Sequence, residues 1–188
     1  MAIGGYSSGL EPGFRVTRTS SGQYDLKMWG KMPIGWVANL TGGMAGTGIS
    51  IQRGTVQKVD GMAWQAGFEM TPLSLDAAPE RIDFLGLASR VSGSAATAGF
   101  SLDSFILREP SAPRQPLYLE VRAPDQKGFL GALLGRLAFF SLFPEEMAIE
   151  TRDNHVHDRF WLRSPGGQSP SAEVAVVLRK ALAARTGC

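Results

Sequence analysis

An α+β fold, an antiparallel sheet with helices on one face, is predicted by three features of the sequence. Short runs alternate apolar and polar residues, as in Tyr24-Asp25-Leu26-Lys27-Met28-Trp29, which is the pattern of a strand with one buried face. Other runs space their apolar residues by three and four, as in Trp36, Val37, Leu40 and Met44, the stripe of a helix that buries one side. The chain of 188 residues also holds 23 glycines and 11 prolines, enough to punctuate many short elements.

Taken in order, Phe14–Thr19 reads as a strand that forms a hairpin with Tyr24–Trp29 through the turn Ser20-Ser21-Gly22. Met32-Pro33-Ile34-Gly35 is a loop, and the helix from Trp36 to Met44 ends at Gly46-Thr47-Gly48. Strands around Ile49–Val59 and Met62–Met70 meet at Asp60-Gly61, a dipeptide suited to a tight hairpin. Pro79–Arg90 reads as a helix, Ser92–Gly99 as a loop of small residues, and Phe100–Leu107 as a strand. Glu109–Pro116 holds three prolines in eight residues and marks a boundary between a first unit, residues 1–109, and a second, residues 110–188. The second unit runs from a strand at Leu117–Val121 through a loop at Ala123–Lys127 to a helix opened by Gly128. Strands at Met147–Arg152 and Val156–Leu162 follow, joined by Asp153-Asn154, and a helix from Ser171 to Ala184 has Ser171 as its cap.

The second unit replays the first. A shift of 93 residues pairs Leu26 with Leu119, Met28 with Val121, Gly35 with Gly128, Trp36 with Phe129, Leu40 with Leu133 and Met44 with Leu137. One shared offset, a shared glycine at the loop-to-helix step and a shared element order point to duplication. Each unit then reads as a ferredoxin-like βαββαβ repeat. Phe100–Leu107 closes the first, no closing strand is left for the second, and Phe14–Thr19 is one strand too many at the start. That extra strand is expected at the edge of the first sheet, or in the gap of the second. The two repeats are expected to pair with each other, and the chain to form a homodimer, because open sheet edges are paired or covered.

Composition excludes several functions. Lys and Arg number 19 against 17 Asp and Glu, a net charge of +2 spread evenly over both units, so no field draws the chain to nucleic acid or to an anionic membrane. Phe129–Phe143 is too short to span a bilayer and holds Arg136. The single cysteine, Cys188, permits no internal disulfide or thiolate cluster, and the start of the chain lacks the charged and apolar regions of a leader, so a cytoplasmic location is expected. Gly42-Gly43-Met44-Ala45-Gly46-Thr47-Gly48 follows a helix rather than a strand, the wrong setting for a phosphate loop, and reads as small residues at a helix end or a close helix contact. Trp29, Trp36, Trp64 and Trp161 occupy stripe or alternating positions and read as core or interface residues. His155, His157 and Asp158 offer two imidazoles on one strand face but no third ligand at metal-binding spacing. No nucleophile with an adjacent base is present, so neither catalytic residues nor a metal or cofactor is expected and the chain is read as a non-enzyme.

Asp125-Gln126-Lys127-Gly128 before a helix, Ala148-Ile149-Glu150-Thr151 and Asp158-Arg159-Phe160 together resemble the ACT domain, a ferredoxin-like module that senses amino acids. The resemblance covers residues 117–184 well and 24–108 less closely, because Met32 stands where Asp125 stands in the second repeat. It implies a regulatory protein that binds a small amino acid at its strand-to-helix loops, at Asp125, Gln126, Lys127, Gly128 and Phe129 and at Pro33, Ile34 and Gly35. Physical chemistry suits the loop to that role. The first amides of a helix are unpaired donors fit for a carboxylate, and an acidic neighbour holds an ammonium. Asp125 as a simple helix cap is the other reading of the same residue. The alternative function is a protein–protein interaction or transcription-regulator module whose ligand loop is vestigial.

Overall fold

The structure, a computed structural model, describes residues 11–60, 63–74, 77–90 and 99–186. The first half runs β1 (Gly13–Arg18), β2 (Tyr24–Lys31), α1 (Trp36–Gly46), β3 (Ile49–Asp60), β4 (Ala63–Pro72), a 3-10 turn at Pro79–Arg81 and α2 (Phe84–Ser89). The second runs β5 (Ser104–Arg108), β6 (Leu117–Pro124), α3 (Phe129–Phe139), β7 (Phe143–Arg152), β8 (His155–Arg163) and α4 (Ala172–Ala183). All eight strands form one antiparallel sheet in the order β1-β2-β4-β3-β7-β8-β6-β5.

The strands form where the alternation lies. β2 buries Tyr24, Leu26, Met28 and Gly30, and β8 buries Val156, Asp158, Phe160 and Leu162, while the residues between them are more open. A period of two thus puts one sheet face into the core and leaves the other open. α1 through α4 cover the closed face with residues such as Leu40, Phe84, Leu133 and Leu178, each fully buried. Asp153 and Asn154 take positive φ, 50° and 59°, in the two-residue turn between β7 and β8, a conformation those side chains tolerate. The expected turn at Asp60-Gly61 and the loop 92–99 lie wholly or partly outside the described residues.

The extra strand has a place. β1 pairs with β2 from Gly13↔Trp29 to Arg18↔Tyr24, the hairpin edge expected of it. The role expected of Phe100–Leu107 does not hold: β5 pairs with β6, from Ser104↔Arg122 to Arg108↔Tyr118, and so leads the second half instead of closing the first. The proline-bearing segment 109–116 is the connection within that hairpin. Each half is therefore β-β-α-β-β-α, and the strand sought at the end of the second half stands at its beginning. Pairing is decided by which edge is free and near, and β6 offered its free edge to the strand just before it in sequence. The expected helix Pro79–Arg90 is also divided, into the 3-10 turn and α2, because Ile82 is extended and Asp83 starts a new helix by accepting a hydrogen bond from the Gly86 amide at 2.9 Å.

The halves meet edge to edge. β3 pairs with β7 from Arg53↔Glu150 to Gln57↔Glu146, and above that seam α1 packs on α3. A Cβ placed on Gly131 would lie 3.0 Å from the Cα and 3.1 Å from the nitrogen of Gly42, so the helices approach backbone to backbone. Gly131→Val is expected to lower stability by about 1–3 kcal/mol, the scale of overpacking against a neighbour that cannot yield. Urea denaturation compared with Gly131→Ala and wild type measures it, and an unchanged midpoint in the valine variant would show that the helices are free to separate.

Candidate functional site

The step from β6 to α3 is built on one glycine. Gly128 sits in the left-handed region at φ 80°, which glycine adopts at no steric cost, and turns the chain into the helix. The amide of Asp125 donates to Asn154 O at 2.7 Å and that of Phe129 to Gln126 O at 2.9 Å, which pins the loop. The first bond of the helix is Ala132 N to Gly128 O at 2.9 Å, and among the described residues the amides of Leu130 and Gly131 find no backbone acceptor. No side chain caps this helix, so the capping role for Asp125 is not the one it plays. Asp125 is exposed and its carboxylate makes no hydrogen bond among the described residues.

A cavity of about 230 Å³ opens beneath this loop. The second half supplies Asp125–Gly131 to its rim and Asp158 to its lining, and the first half supplies Thr41, Ala45 and Ile49–Ile51 from across the seam. Thr151 ties the two sides by donating to Ile51 O at 3.3 Å.

Asp158 is the unusual residue. It is 0% exposed and stands in the inward register of β8 between Val156 and Phe160, opposite Val121. Its Oδ1 accepts from the Glu150 amide at 3.3 Å, whereas its Oδ2 has no partner among the described residues. Burial pushes its pKa up to about 7, the Glu150 hydrogen bond opposes this, and the nearby Asp125 charge adds to it. A buried carboxylate oxygen with nothing to bond to is costly and rarely left so.

The eight residues expected to bind ligand divide between two cavities. Asp125, Gln126, Lys127, Gly128 and Phe129 line the one just described. Gln126 also donates to Ser101 Oγ at 2.9 Å, Lys127 is exposed, and Phe129 is buried edge-to-face against Phe100 at 5.7 Å. Pro33, Ile34 and Gly35 line a second cavity of about 380 Å³ at the corresponding loop of the first half. There Gly35 has φ 79° and ψ 4°, against 80° and 5° for Gly128, and Trp36 N donates to Pro33 O as Phe129 N does to Gln126 O. The chemistry nevertheless differs. Met32 stands in place of Asp125, and Ala66, which lies opposite Met28 as Asp158 lies opposite Val121, stands in place of Asp158.

The histidines do not gather around a metal site. His155 Nδ1 lies 3.0 Å from Asp153 O, and His157 Nε2 lies 2.8 Å from Glu120, whose other oxygen accepts from Tyr118 at 2.8 Å. The His157 and Tyr118 bonds hold the Glu120 carboxyl below the usual carboxylate range. Among the described residues no three metal-ligating side chains come together, and no helix is long and apolar enough to cross a membrane. Sequence reasoning weighs Asp158 beside the histidines and misses it as a site residue; the available signal is an acidic residue in the inward phase of an otherwise apolar alternation. No protein-family model, curated protein or solved structure matches the chain.

Proposed function

We propose that the chain is a regulatory module of two ACT-like repeats that binds a small amino acid in the cavity beneath Asp125–Gly128. The observation that carries this reading is the unpartnered Oδ2 of buried Asp158 in the lining of a cavity whose rim holds free helix amides. The two ends of a zwitterion answer these two needs. Its carboxylate takes the amides of Leu130 and Gly131, where the helix N-terminus favours negative charge. Its ammonium lies toward Asp158 and Asp125, supplying the donor that Asp158 lacks. A cavity of about 230 Å³ suits a small side chain.

Calorimetric titration of the full chain with each of the twenty amino acids tests this. One or more small amino acids are expected to bind with a dissociation constant below about 1 mM. Asp158→Asn and Asp125→Ala are each expected to weaken that binding about tenfold, the scale of a lost charge-assisted hydrogen bond. The corresponding hydroxy acid, which lacks the ammonium, is expected not to bind. Heat-free titrations with all twenty amino acids, on folded protein, would overturn the proposal.

A further inference from the structure

The larger cavity has an apolar wall of Trp36, Trp64, Met32, Leu134, Ala138 and Leu142, with Lys58, Glu145 and Arg163 as its charged groups. Trp36 is 1% exposed, and among the described residues its indole N–H has no hydrogen-bond partner. Indole N–H groups in folded cores normally find an acceptor. Trp64 stands edge-to-face to Trp36 at 5.8 Å, so two aromatic rings meet at this cavity. Ile34, at its lip, is a large apolar side chain and is 71% exposed.

Charge at the rim is one-sided. Arg163 and Glu145 are committed to each other at 2.7 Å, and Arg163 also donates to the Arg114 carbonyl. Lys58 lines the same cavity, and among the described residues its ammonium makes no ion pair. The carboxylates of the other cavity have no counterparts here, since Met32 and Ala66 occupy those places. An ammonium entering this cavity would lose its water and meet no free anion.

We infer that this cavity is a distinct ligand site, one that takes an apolar or aromatic monocarboxylate without an amino group. The ring or branched chain of such a ligand fills the space among Trp36, Trp64 and Leu134, and its carboxylate accepts from the Trp36 indole and pairs with Lys58. At about 380 Å³ the cavity falls in the range of small-molecule pockets. The inference does not rest on amino-acid binding in the other cavity, because it uses neither Asp125 nor Asp158.

Phenylacetate, phenylacetamide and L-phenylalanine are the probes, titrated into the full chain with tryptophan fluorescence and calorimetry as readouts. Phenylacetate is expected to bind with a dissociation constant of about 1 mM or lower. The neutral amide and the amino acid are each expected to bind at least about tenfold more weakly. Trp36→Phe, which keeps a ring and removes the donor, and Lys58→Met, at a half-buried rim position, should each weaken phenylacetate about tenfold. Arg15→Gln, exposed and outside both linings, should leave it unchanged. No phenylacetate binding at about 10 mM, L-phenylalanine binding as tightly as phenylacetate, or Lys58→Met and a folded Trp36→Phe both binding like wild type would each overturn the inference.

Discussion

A chain lacking residues 1–20 is expected to be less stable than the full chain by about 3–5 kcal/mol, the scale of losing two partly buried apolar side chains and a strand ladder. β1 is joined to the rest by its hairpin with β2, and its inward side chains, Phe14 and Val16, pack against the core. Phe14 stands edge-to-face to Phe84 at 5.6 Å, so removing the strand also bares the side of α2. Because β1 is an edge strand, β2 would become the new edge, with the apolar alternation of Leu26 and Met28 half uncovered. Thermal and urea unfolding of the truncated and full chains measure the effect. An identical midpoint would show that the strand contributes nothing to the fold.

The second large effect is a dependence on pH. The carboxyl of Asp158 titrates near 7 in the folded chain and near the ordinary aspartate value of 3.8 when unfolded. The folded group holds its proton more tightly than the unfolded one, so stability falls as pH rises between those two values and is level outside them. The whole interval corresponds to about 4 kcal/mol, at about 1.4 kcal/mol for each pH unit that separates the two values. Asp158→Asn removes this titration. Relative to wild type the variant is expected to gain stability from pH 5 to pH 8, read from denaturant midpoints at the two values. Parallel profiles for the two proteins would mean that Asp158 ionises in the fold as freely as in water.

Periodicity makes most of this architecture readable, and its failures share one cause. The apolar stripes of α1 and α3 and the offset that aligns Gly35 with Gly128 follow from local spacing, and both glycines hold the same conformation. Strand partners do not follow from spacing. Phe105 and Leu107 alternate as any strand's residues do, and nothing local says that they meet Val121 and Leu119 instead of a strand of the first half. Assigning them backward makes one unit look complete and the other short. Asp158 is obscure for a related reason. Its chemistry depends on being sealed by the sheet on one side and by the α3 loop on the other, both distant in sequence. Its phase, inward between Val156 and Phe160, is the only trace of this in the chain itself.

The seam between β3 and β7 has a mechanical consequence. Each cavity takes its loop from one half of the chain and its opposite wall from the other: Asp125–Gly131 faces Thr41 and Ile49, and Met32–Gly35 faces Leu134 and Leu142. A molecule seated in either one is therefore a rivet through both halves, and sliding or opening along the seam requires that it leave. Slowed amide exchange along β3 and β7 would thus report the filling of either cavity. With both cavities filled, each occupant would resist the same opening, and any coupling between them would be reciprocal.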